Sequence, residues 1–543
     1  MVSASKQLCP TDQKGGNVPA ALVEAMSNPG FYPHPVAGVE HRETHISRVF
    51  LAGDFVYKIK KPISLEFLDF STLEKRYTCC LREVSLNRRL APDVYMGIVP
   101  ISCYRRRYRL GKTGSPVEFA VHMHRLSEDR SLLHLLRRKQ IDETILEQLA
   151  RQLVDFYRRA SSGSHINRFG SLETIKQNCE ENFRQIQQFG RGRVDKHLLD
   201  IVVSATRAYL DHHKELFRSR IAEERIRDCH GDLRCGHVYF EQGIQIIDCI
   251  EFNDRFRFSD SACDLAFLIM DMEYEGFPDT ANSLVDAVAR YSGDSLLYVM
   301  LDFYKCYRAM VKSKVCYITI QGSDRGDFLP KKLQREADKY LNLAYRYAVK
   351  FSSPTLWVMC GLPASGKSTI AKSLSKRLGI PLLRSDAIRK ELFGPAGENP
   401  KDMPFARGLY SPGTSSLTYG KLMLTAQDLL ERGQSVILDA TFSRRHHRRE
   451  ALKLAQTMDS QMILVEAAAP AKILKARLKE RDSRSPLSDA RLTHFNHFVD
   501  AFEPVDDIPD DTHILIDTTK PSDEMILKLM AHRYHLPARA GFS

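Results

Sequence analysis

The stretch Gly361-Leu-Pro-Ala-Ser-Gly366-Lys367-Ser368 decides the fold of the second half of the chain. It fits the pattern G-x-x-x-x-G-K-[ST], follows the apolar run 356–360 and opens into a helical pattern over 369–378. Glycines let the backbone curl so that successive N–H groups point inward, and the helix that begins there adds its positive end. Such a unit cradles nucleotide phosphates, with the lysine on the terminal phosphates and the serine hydroxyl on Mg²⁺. We therefore expect ATP and Mg²⁺ as ligands, bound by Gly361, Leu362, Pro363, Ala364, Ser365, Gly366, Lys367, Ser368 and Thr369.

The composition is that of a globular protein, and 543 residues are too many for one core, so two or three domains are expected. No apolar run approaches the ~18 residues that a membrane span needs. The N-terminal residues lack the apolar segment of a secretory signal, and we expect a cytoplasmic protein without membrane contact. The net charge of +12 favours anionic partners such as nucleotides, phosphorylated metabolites or nucleic acid, although a solvated basic surface gives the same charge.

The domain organisation follows from the order of the patterns. Residues 1–40 are rich in Gly, Pro and Ser and are predicted to form a loose arm with one short helix near 20–26. Residues 41–350 are predicted to form a first domain, and a boundary at Phe351-Ser-Ser-Pro354 begins a second domain, 351–543. The first domain opens with alternating apolar runs around Ala52-Gly53-Asp54, which predict a β-hairpin. The capping box Ser71-Thr-Leu-Glu74 predicts a helix to about residue 90.

A second polar constellation is formed by His230-Gly-Asp232 and Asp248, which are joined by a short hairpin. Because the arms of the hairpin are short and nearly equal, Asp248 should return beside the loop that carries Asp232. Two carboxylates in one cleft suit phosphoryl transfer, one accepting a hydroxyl proton and the other holding Mg²⁺. Lys58 and Lys60 share one face of an upstream strand, so either could reach phosphates, and Glu83 could pair with it.

The order of these motifs over about residues 40–320 resembles the aminoglycoside phosphotransferase family, whose fold is similar to that of protein kinases. The resemblance implies Asp232 as catalytic base, Asp248 as principal Mg²⁺ ligand, and Lys58, held by Glu83, as the lysine on the nucleotide phosphates. The sequence departs from the family at His237, where the wider family has a metal-binding Asn. Mg²⁺ prefers oxygen ligands and imidazole suits softer metals. A catalytic domain and a degenerate one that only binds nucleotide or a partner both stay open.

Two acidic residues beyond the phosphate loop follow predicted strands. In a doubly wound parallel sheet the carboxyl ends of the strands gather at one edge, which brings Asp386 near the γ-phosphate side of the loop. Asp386 could take the proton of a substrate hydroxyl, and Arg389 could hold a substrate anion; a helix cap at Ser385-Asp386 is compatible with this role. The apolar strand that ends in Asp439 is typical of an acid that holds or orients Mg²⁺ beside such a loop.

Two basic segments complete the second half. Four arginines and two histidines in 444–449 could grip a polyanion, or they could form a solvated first turn of a helix. Arg477, Arg481 and Arg484 share one helical face. That face could close over the nucleotide and stabilise the charge being transferred, or it could belong to an ordinary solvated helix.

The second half resembles the P-loop kinase-like families that include gluconate kinase, the polynucleotide kinase domain and zeta-type toxins. The motifs that carry this resemblance are 361–368, Ser385-Asp386, Leu438-Asp439-Ala-Thr441 and the arginine face. In those families the acid at the place of Asp386 activates the acceptor hydroxyl. The whole chain resembles a bacterial two-domain protein in which an aminoglycoside-phosphotransferase-like domain is fused to a P-loop kinase.

The sequence therefore predicts an α+β protein-kinase-like domain followed by an α/β P-loop NTPase domain with a doubly wound parallel sheet. The predicted function is ATP-dependent transfer of the γ-phosphate to a hydroxyl of an unidentified substrate, for which a small molecule is favoured over nucleic acid, with the first domain acting on a small molecule or regulating its neighbour. One alternative is an ATP-hydrolysing switch with a degenerate kinase-like sensor domain. A second alternative is a kinase for the 5′-hydroxyl of nucleic acid, suggested by the basic segment 444–449.

Overall fold

The computed structural model describes residues 20–65, 68–105, 107–321, 329–393, 412–484 and 492–537. The first compact unit contains the described residues up to Phe169 together with Glu224–Val288, and the second contains Gly170–Glu223 and the described residues from Ala289 onward. The helices of 170–223 and 289–352 thus group with the phosphate-loop half, whereas the sequence assigned them to the first domain. The compact units do not test whether a separately folding domain begins at residue 351, so that boundary stays a prediction. Within the described ranges, every helix is too short or too polar to cross a membrane.

The strands alternate with helices along the chain and are numbered in chain order. Those of the first unit are β1 Val39–Glu43, β2 Ser47–Ala52, β3 Phe55–Lys60, β4 Ser64–Leu65, β5 Leu68–Asp69, β6 Tyr95–Tyr104, β7 Arg107–Leu110, β8 Ser115–His124, β9 Ile226–Asp228, β10 Val238–Phe240, β11 Ile244–Ile246 and β12 Phe258–Asp260. Those of the second unit are β13 Thr355–Cys360, β14 Leu382–Arg384, β15 Val436–Asp439, β16 Gln461–Ala468 and β17 His513–Asp517.

The helices are numbered in the same way. Up to residue 292 they are α1 Ala20–Met26, α2 Leu73–Asn87, α3 Leu132–Arg137, α4 Glu143–Arg159, α5 Ser164–Asn167, α6 Leu172–Phe189, α7 Lys196–His212, α8 Lys214–Ala222, α9 Asp254–Arg257, α10 Ser261–Tyr274 and α11 Pro278–Ser292. Beyond it they are α12 Leu297–Gln321, α13 Leu329–Ser352, α14 Lys367–Leu378, α15 Ser385–Phe393, α16 Pro412–Glu431, α17 Arg445–Thr457, α18 Ala471–Arg484, α19 Phe495–Asp500 and α20 Ser522–His535.

The first unit is built on a six-stranded antiparallel sheet with strand order β1-β2-β3-β8-β6-β7. The predicted hairpin is its β2–β3 pair, and α2 covers one face of the sheet through Cys80 and Val84. The cap of α2 is one residue later than predicted: the Thr72 side chain accepts the N–H of Lys75, while Ser71 bonds to Asp69. Strands β1 and β7, at the two edges of the sheet, were not predicted.

The predicted N-terminal arm is not loose where the structure describes it. Helix α1 has the predicted bounds, and its Leu22 and Met26 are buried against Phe50 and Ile101 of the sheet. Burial of two large apolar side chains offsets the entropy of ordering a short helix. The rest of the predicted arm, residues 1–19, lies outside the described residues.

The second unit contains a five-stranded parallel sheet with strand order β14-β15-β13-β16-β17. Every residue of β13 is buried, as expected for a continuous apolar run at the centre of a parallel sheet with both faces covered. The chain leaves β13 towards β14 and β15 on one side and then returns to β16 and β17 on the other. The order therefore reverses at β13, and a crevice at such a point is where ligands bind in open α/β sheets.

Candidate functional site

The loop between β13 and α14 has the curled backbone that phosphate binding needs. Gly361 has φ 136°, and a Cβ atom there would lie 2.5 Å from the carbonyl oxygen of Ala467. Gly366 has φ 95°, and its Cβ would lie 3.0 Å from Thr518 Cβ. The Gly361 N–H donates to the Thr441 carbonyl oxygen at 3.0 Å, which ties the loop to the residues after β15. Both positions therefore require glycine, because their φ angles are positive and because neighbouring atoms leave no room for a Cβ atom.

The predicted metal ligands of this loop lie together. Ser368 Oγ donates a hydrogen bond to Asp439 Oδ1 at 3.0 Å, because α14 begins beside the carboxyl end of β15. Lys367 Nζ donates to the Leu362 carbonyl oxygen at 3.2 Å and so lies over the loop. Burial lowers the pKa of Lys367, while the charges of Asp439 and Asp386 act to raise it. A buried, desolvated ammonium over a curled loop is suited to receiving phosphate oxygens.

The predicted base and the predicted anion-binding arginine form a pair. Arg389 donates to Asp386 Oδ1 at 3.1 Å, and the Asp386 side chain is 62% exposed whereas that of Arg389 is 9% exposed. Arg384, which sequence reasoning missed, places its Nε 3.5 Å from Asp439 Oδ2. It ends β14, the strand next to β15, so its place beside Asp439 could have been inferred from the predicted sheet.

The predicted arginine face divides into different environments. Arg477 donates to Thr518 Oγ1 at 3.0 Å, to the Thr518 carbonyl oxygen at 2.8 Å and to the Ala364 carbonyl oxygen at 3.4 Å. It therefore braces the outside of the phosphate loop. Arg481 is close enough to Lys367 for its charge to lower the pKa of that lysine. The side chain of Arg484 lies outside the described residues.

The basic segment 444–449 is matched by carboxylates of its own unit. Arg444 pairs with Glu503 at 3.1 Å and Arg445 with Asp506 at 2.5 Å. Arg448 is buried and bonds to Asp507 at 2.7 Å and to three carbonyl oxygens, those of Phe442, Glu503 and Pro504. These contacts give Arg448 a structural role, whereas Arg444 and Arg449 stay exposed, and the nucleic-acid alternative stays a prediction.

In the first unit, two lysines of β3 share one buried carboxylate of α2. Lys58 Nζ lies 2.8 Å from Glu83 Oε1 and 2.6 Å from Asp248 Oδ1. Lys60 Nζ lies 2.6 Å from Glu83 Oε2 and also pairs with Glu251. Of the two candidates, Lys58 is therefore the one that contacts the predicted metal ligand. The charges of both lysines hold the pKa of Glu83 below its usual value although burial raises it.

Asp232 and Asp248 do lie together, on either side of His237. Single ligand atoms of these three residues are within 4.8 Å of one another. Arg234, which sequence reasoning missed although it is only two residues away, binds both oxygens of Asp232 at 2.9 and 3.0 Å. Burial would raise the pKa of Asp232, but the charges of Arg234 and His237 lower it to about 2. Asp248 has φ 66°, an unusual conformation for a non-glycine residue and typical of functional sites.

The imidazole of His237 is held by its neighbours. Its Nε2 lies 2.9 Å from an Arg234 nitrogen, which can only donate, and its Nδ1 lies 2.9 Å from the Asp232 carbonyl oxygen. The network therefore assigns the proton to Nδ1 and leaves Nε2 as acceptor. Asp232, His237 and Asp248 offer one nitrogen and two carboxylates, and both carboxylates are already paired with Arg234 or Lys58. This donor set suits Mg²⁺ less well than a set of free oxygen ligands would.

The loop around Asp232 is braced by Asp264. One oxygen of Asp264 accepts the Gly231 N–H at 2.7 Å and the other accepts the His230 N–H at 3.1 Å. The buried His230 ring lies 3.0 Å from the Ile247 carbonyl oxygen. Both contacts give His230 and Asp264 a structural role in holding this loop.

The residues of the second unit fit a nucleotide and Mg²⁺. Ser365 Oγ is buried in the loop and has no hydrogen-bond partner among the described residues. Ser368 and Asp439, at the carboxyl end of β15, supply oxygen ligands, which Mg²⁺ prefers. The loop thus has a buried hydroxyl without a partner in the described part of the chain, glycines that leave no room for a side chain, and two oxygen ligands. These features fit the phosphates of a nucleotide and their metal ion.

Comparisons with known proteins agree with this geometry. Residues 356–505 match the model of a family described as an AAA domain. An uncharacterised protein of Mycobacterium tuberculosis (strain ATCC 25618 / H37Rv) is 29% identical over 453 residues, which cover 82% of this chain and 88% of that protein. The second unit thus carries a P-loop domain, a class of domain that binds nucleotides.

Solved structures of kinases also show likeness to parts of the chain. A gluconokinase from Sinorhizobium meliloti 1021 is 16% identical with a TM-score of 0.26, over 34% of this chain and 94% of that one. A choline/ethanolamine kinase family protein from Mesorhizobium loti is 12% identical with a TM-score of 0.36, over 60% of this chain and 99% of that one. At these TM-scores and identities, neither likeness bears on substrate or activity.

Proposed function

We propose that the protein is an ATP-dependent phosphotransferase whose transferring site is the phosphate loop of the second unit. The observation that carries the proposal is the hydrogen bond between Ser368 and Asp439 at the end of a curled, glycine-pinned loop. The family match over 356–505 supports nucleotide binding there. Asp386 is exposed, and its charge acts on the pKa of Lys367. An exposed carboxylate near this lysine supports Asp386 as the base that meets the acceptor.

The proposed mechanism assigns each of these residues one task. Lys367 and the backbone N–H groups of 361–368 bind the β- and γ-phosphates of ATP. Ser368 and Asp439 would hold Mg²⁺, which supplies neutralisation of phosphate charge. Asp386 accepts the proton of the acceptor hydroxyl while the hydroxyl oxygen forms a bond to the γ-phosphorus. The bond between the γ-phosphorus and the oxygen that bridges it to the β-phosphate breaks, and ADP is released. Arg481 stabilises the transferring charge and Arg389 positions an anionic group of the acceptor.

The experiment that tests this function is incubation of the full chain with Mg-ATP and a library of small hydroxylated metabolites. ADP and phosphorylated products are both followed by mass spectrometry. We expect at least one phosphorylated product, and its formation should require Lys367. Steady release of ADP and free phosphate, with no phosphorylated product from any member of the library, would contradict the transferase proposal in favour of an ATP-hydrolysing switch.

A second candidate concerns the first unit. Arg234 binds both oxygens of Asp232, and Lys58 binds Asp248, so both proposed chemical groups already have cationic partners. This pairing, with His237 in place of an oxygen ligand, favours a kinase-like unit that binds a nucleotide or regulator without transferring phosphate. The alternative that it phosphorylates a small molecule requires both ion pairs to open when substrate binds.

A further inference from the structure

A cavity of about 360 Å³ lies within the second unit, at the edge where the parallel strands begin. It is walled by α7, α12, α13 and α20 and by the residues that open β13, β14 and β15. The phosphate loop follows the opposite end of β13. The cavity is therefore a separate site, and its volume is within the range of small-molecule pockets.

The walls of the cavity are largely aromatic. Five aromatic side chains, Tyr209, Tyr298, Phe351, Trp357 and Tyr534, line it together with the imidazoles of His212 and His213. The Tyr209 hydroxyl donates to the Val299 carbonyl oxygen at 2.9 Å and its ring stacks on His213 and Phe303, so its hydroxyl is not free for a ligand. Walls of this kind favour a flat or cyclic hydrocarbon body over a strongly hydrated ligand.

One buried cation of the lining has no ion-pair partner in the part of the chain that the structure describes, although the charge of Asp302 acts on it. Arg533 donates to Thr355 Oγ1 at 2.9 Å and to the Lys350 carbonyl oxygen at 3.4 Å, and it has no ion-pair partner among the described residues. Asp302 also lines the cavity but is already paired with Lys305 at 2.8 Å and with Lys350 at 3.4 Å. Burial lowers the pKa of Arg533, the sign of a charge that its surroundings compensate incompletely. A buried guanidinium in this position gains most from a bound anion.

We propose that this cavity binds a small organic carboxylate, with its anion on Arg533 and its hydrocarbon body against the aromatic rings. A singly charged carboxylate fits Arg533, the buried guanidinium of the lining; Arg432, the other guanidinium there, is exposed to solvent. A doubly charged phosphate would bring more charge than one buried guanidinium compensates. The site lies outside the nucleotide site, and its ligand would contact Thr355 and Trp357 of the strand that leads into the phosphate loop.

The chain contains a built-in probe, because Trp357 is its only tryptophan and lines the cavity. Tryptophan fluorescence of the full chain is titrated with cyclohexanecarboxylate, benzoate and 3-phenylpropionate, and with the uncharged amide of each. We expect a saturable change for at least one carboxylate, with an affinity roughly tenfold or more above that of its amide, as for one charge-assisted bond.

Arg533→Met should remove that preference, lowering carboxylate affinity by roughly tenfold or more. The matched control is Arg218→Met, a change at an arginine that is 71% exposed on α8, which should bind as the unaltered chain does. If Arg533→Met fails to fold by circular dichroism, Val299→Phe narrows the cavity and should weaken the response while Arg533 stays in place. No saturable response to any of the three acids, equal affinity of acid and amide, or an undiminished response in the folded variants would overturn the proposal.

Discussion

The two candidate sites differ in what holds them ready for a ligand. In the second unit the phosphate loop is shaped by backbone conformation at Gly361 and Gly366, and its donors are backbone N–H groups. In the first unit the site consists of side chains whose opposite charges already cancel, Lys58 with Asp248 and Arg234 with Asp232. A ligand of the phosphate loop fills a formed cradle, whereas a ligand of the first site must first separate ion pairs that are partly buried.

The largest expected effect is at Lys367. Lys367→Ala should lower ATP turnover by roughly 10²–10³-fold, because it removes a preorganised cation from the charge that develops on the phosphates. ADP release by the purified chain in a coupled assay measures it. Lys372→Ala, at an exposed lysine of the same helix, is the matched control and should leave turnover unchanged. If Lys367→Ala lowers turnover by less than about twofold, the ATP is turned over at a site other than this loop.

The next effect in size concerns the proposed base. Asp386→Asn should lower the turnover rate by roughly 10²-fold with little change in ATP affinity, because the amide keeps the shape but cannot accept a proton. Turnover and calorimetric ATP binding are measured together. Glu391→Gln, at an exposed carboxylate of the same helix α15, controls for loss of charge. If ATP affinity falls as far as the rate does, Asp386 acts in binding instead.

The difference between the sites also explains what the sequence could predict. The curled loop, Asp386 and Asp439 follow from local patterns, because a parallel sheet brings strand ends to one edge whatever the details of packing. The pairing of Lys58 with Glu83 and the return of Asp248 to Asp232 were likewise predictable from one strand, one capped helix and one hairpin.

Other features depend on partners that are distant in the sequence. The segment 444–449 is strongly basic in the sequence, but in the structure three of its arginines pair with the carboxylates of Glu503, Asp506 and Asp507. The sequence pattern over 195–217 predicts one continuous helix, but the structure divides it into α7 and α8 at His213. The ring of His213 stacks on Tyr209 and lies 3.0 Å from the Tyr209 carbonyl oxygen. Helices α11 and α16 have no predicted counterpart. Tertiary packing decides each of these cases, and a local pattern cannot include it.

A third prediction concerns the ion pairs of the first unit. Asp232 has a pKa of about 2 in the folded chain against an ordinary 3.8, a shift worth about 2 kcal/mol of stability near neutral pH. Because the folded pKa is the lower one, this stability is present above about pH 4 and is lost as the pH falls towards 2. Asp232→Asn should therefore destabilise the chain by about 2 kcal/mol at pH 7 and by much less near pH 2.

Urea unfolding followed by circular dichroism at several pH values measures that difference. Asp93→Asn is the matched control, because Asp93 is an exposed carboxylate of the same unit, and its effect should be small and independent of pH. An equal loss of stability at pH 7 and near pH 2 would show that the Arg234–Asp232 pair does not stabilise the first unit.

A smaller effect is expected at the metal ligands of the phosphate loop. Ser368→Ala should raise the Mg²⁺ concentration that gives half-maximal turnover by roughly tenfold, the size of one lost ligand contact. Chelation of Mg²⁺ should stop turnover in the unaltered chain and in the variant alike. Ser373→Ala, on the same helix, should leave the Mg²⁺ dependence as it is. An unchanged Mg²⁺ dependence in Ser368→Ala would remove the hydroxyl from the metal site.

The smallest expected effect is also the one that can break the comparison between the sites. Asp232→Ala should leave ATP turnover within about twofold of the unaltered chain, because Arg234 binds both oxygens of Asp232 whereas Arg389 contacts only one oxygen of Asp386. Turnover is compared in Asp232→Ala, Lys367→Ala and the double variant. If Asp232→Ala removes part of the turnover and the double variant removes the rest, each unit transfers phosphate, and the ion pairs of the first unit must open in its working state.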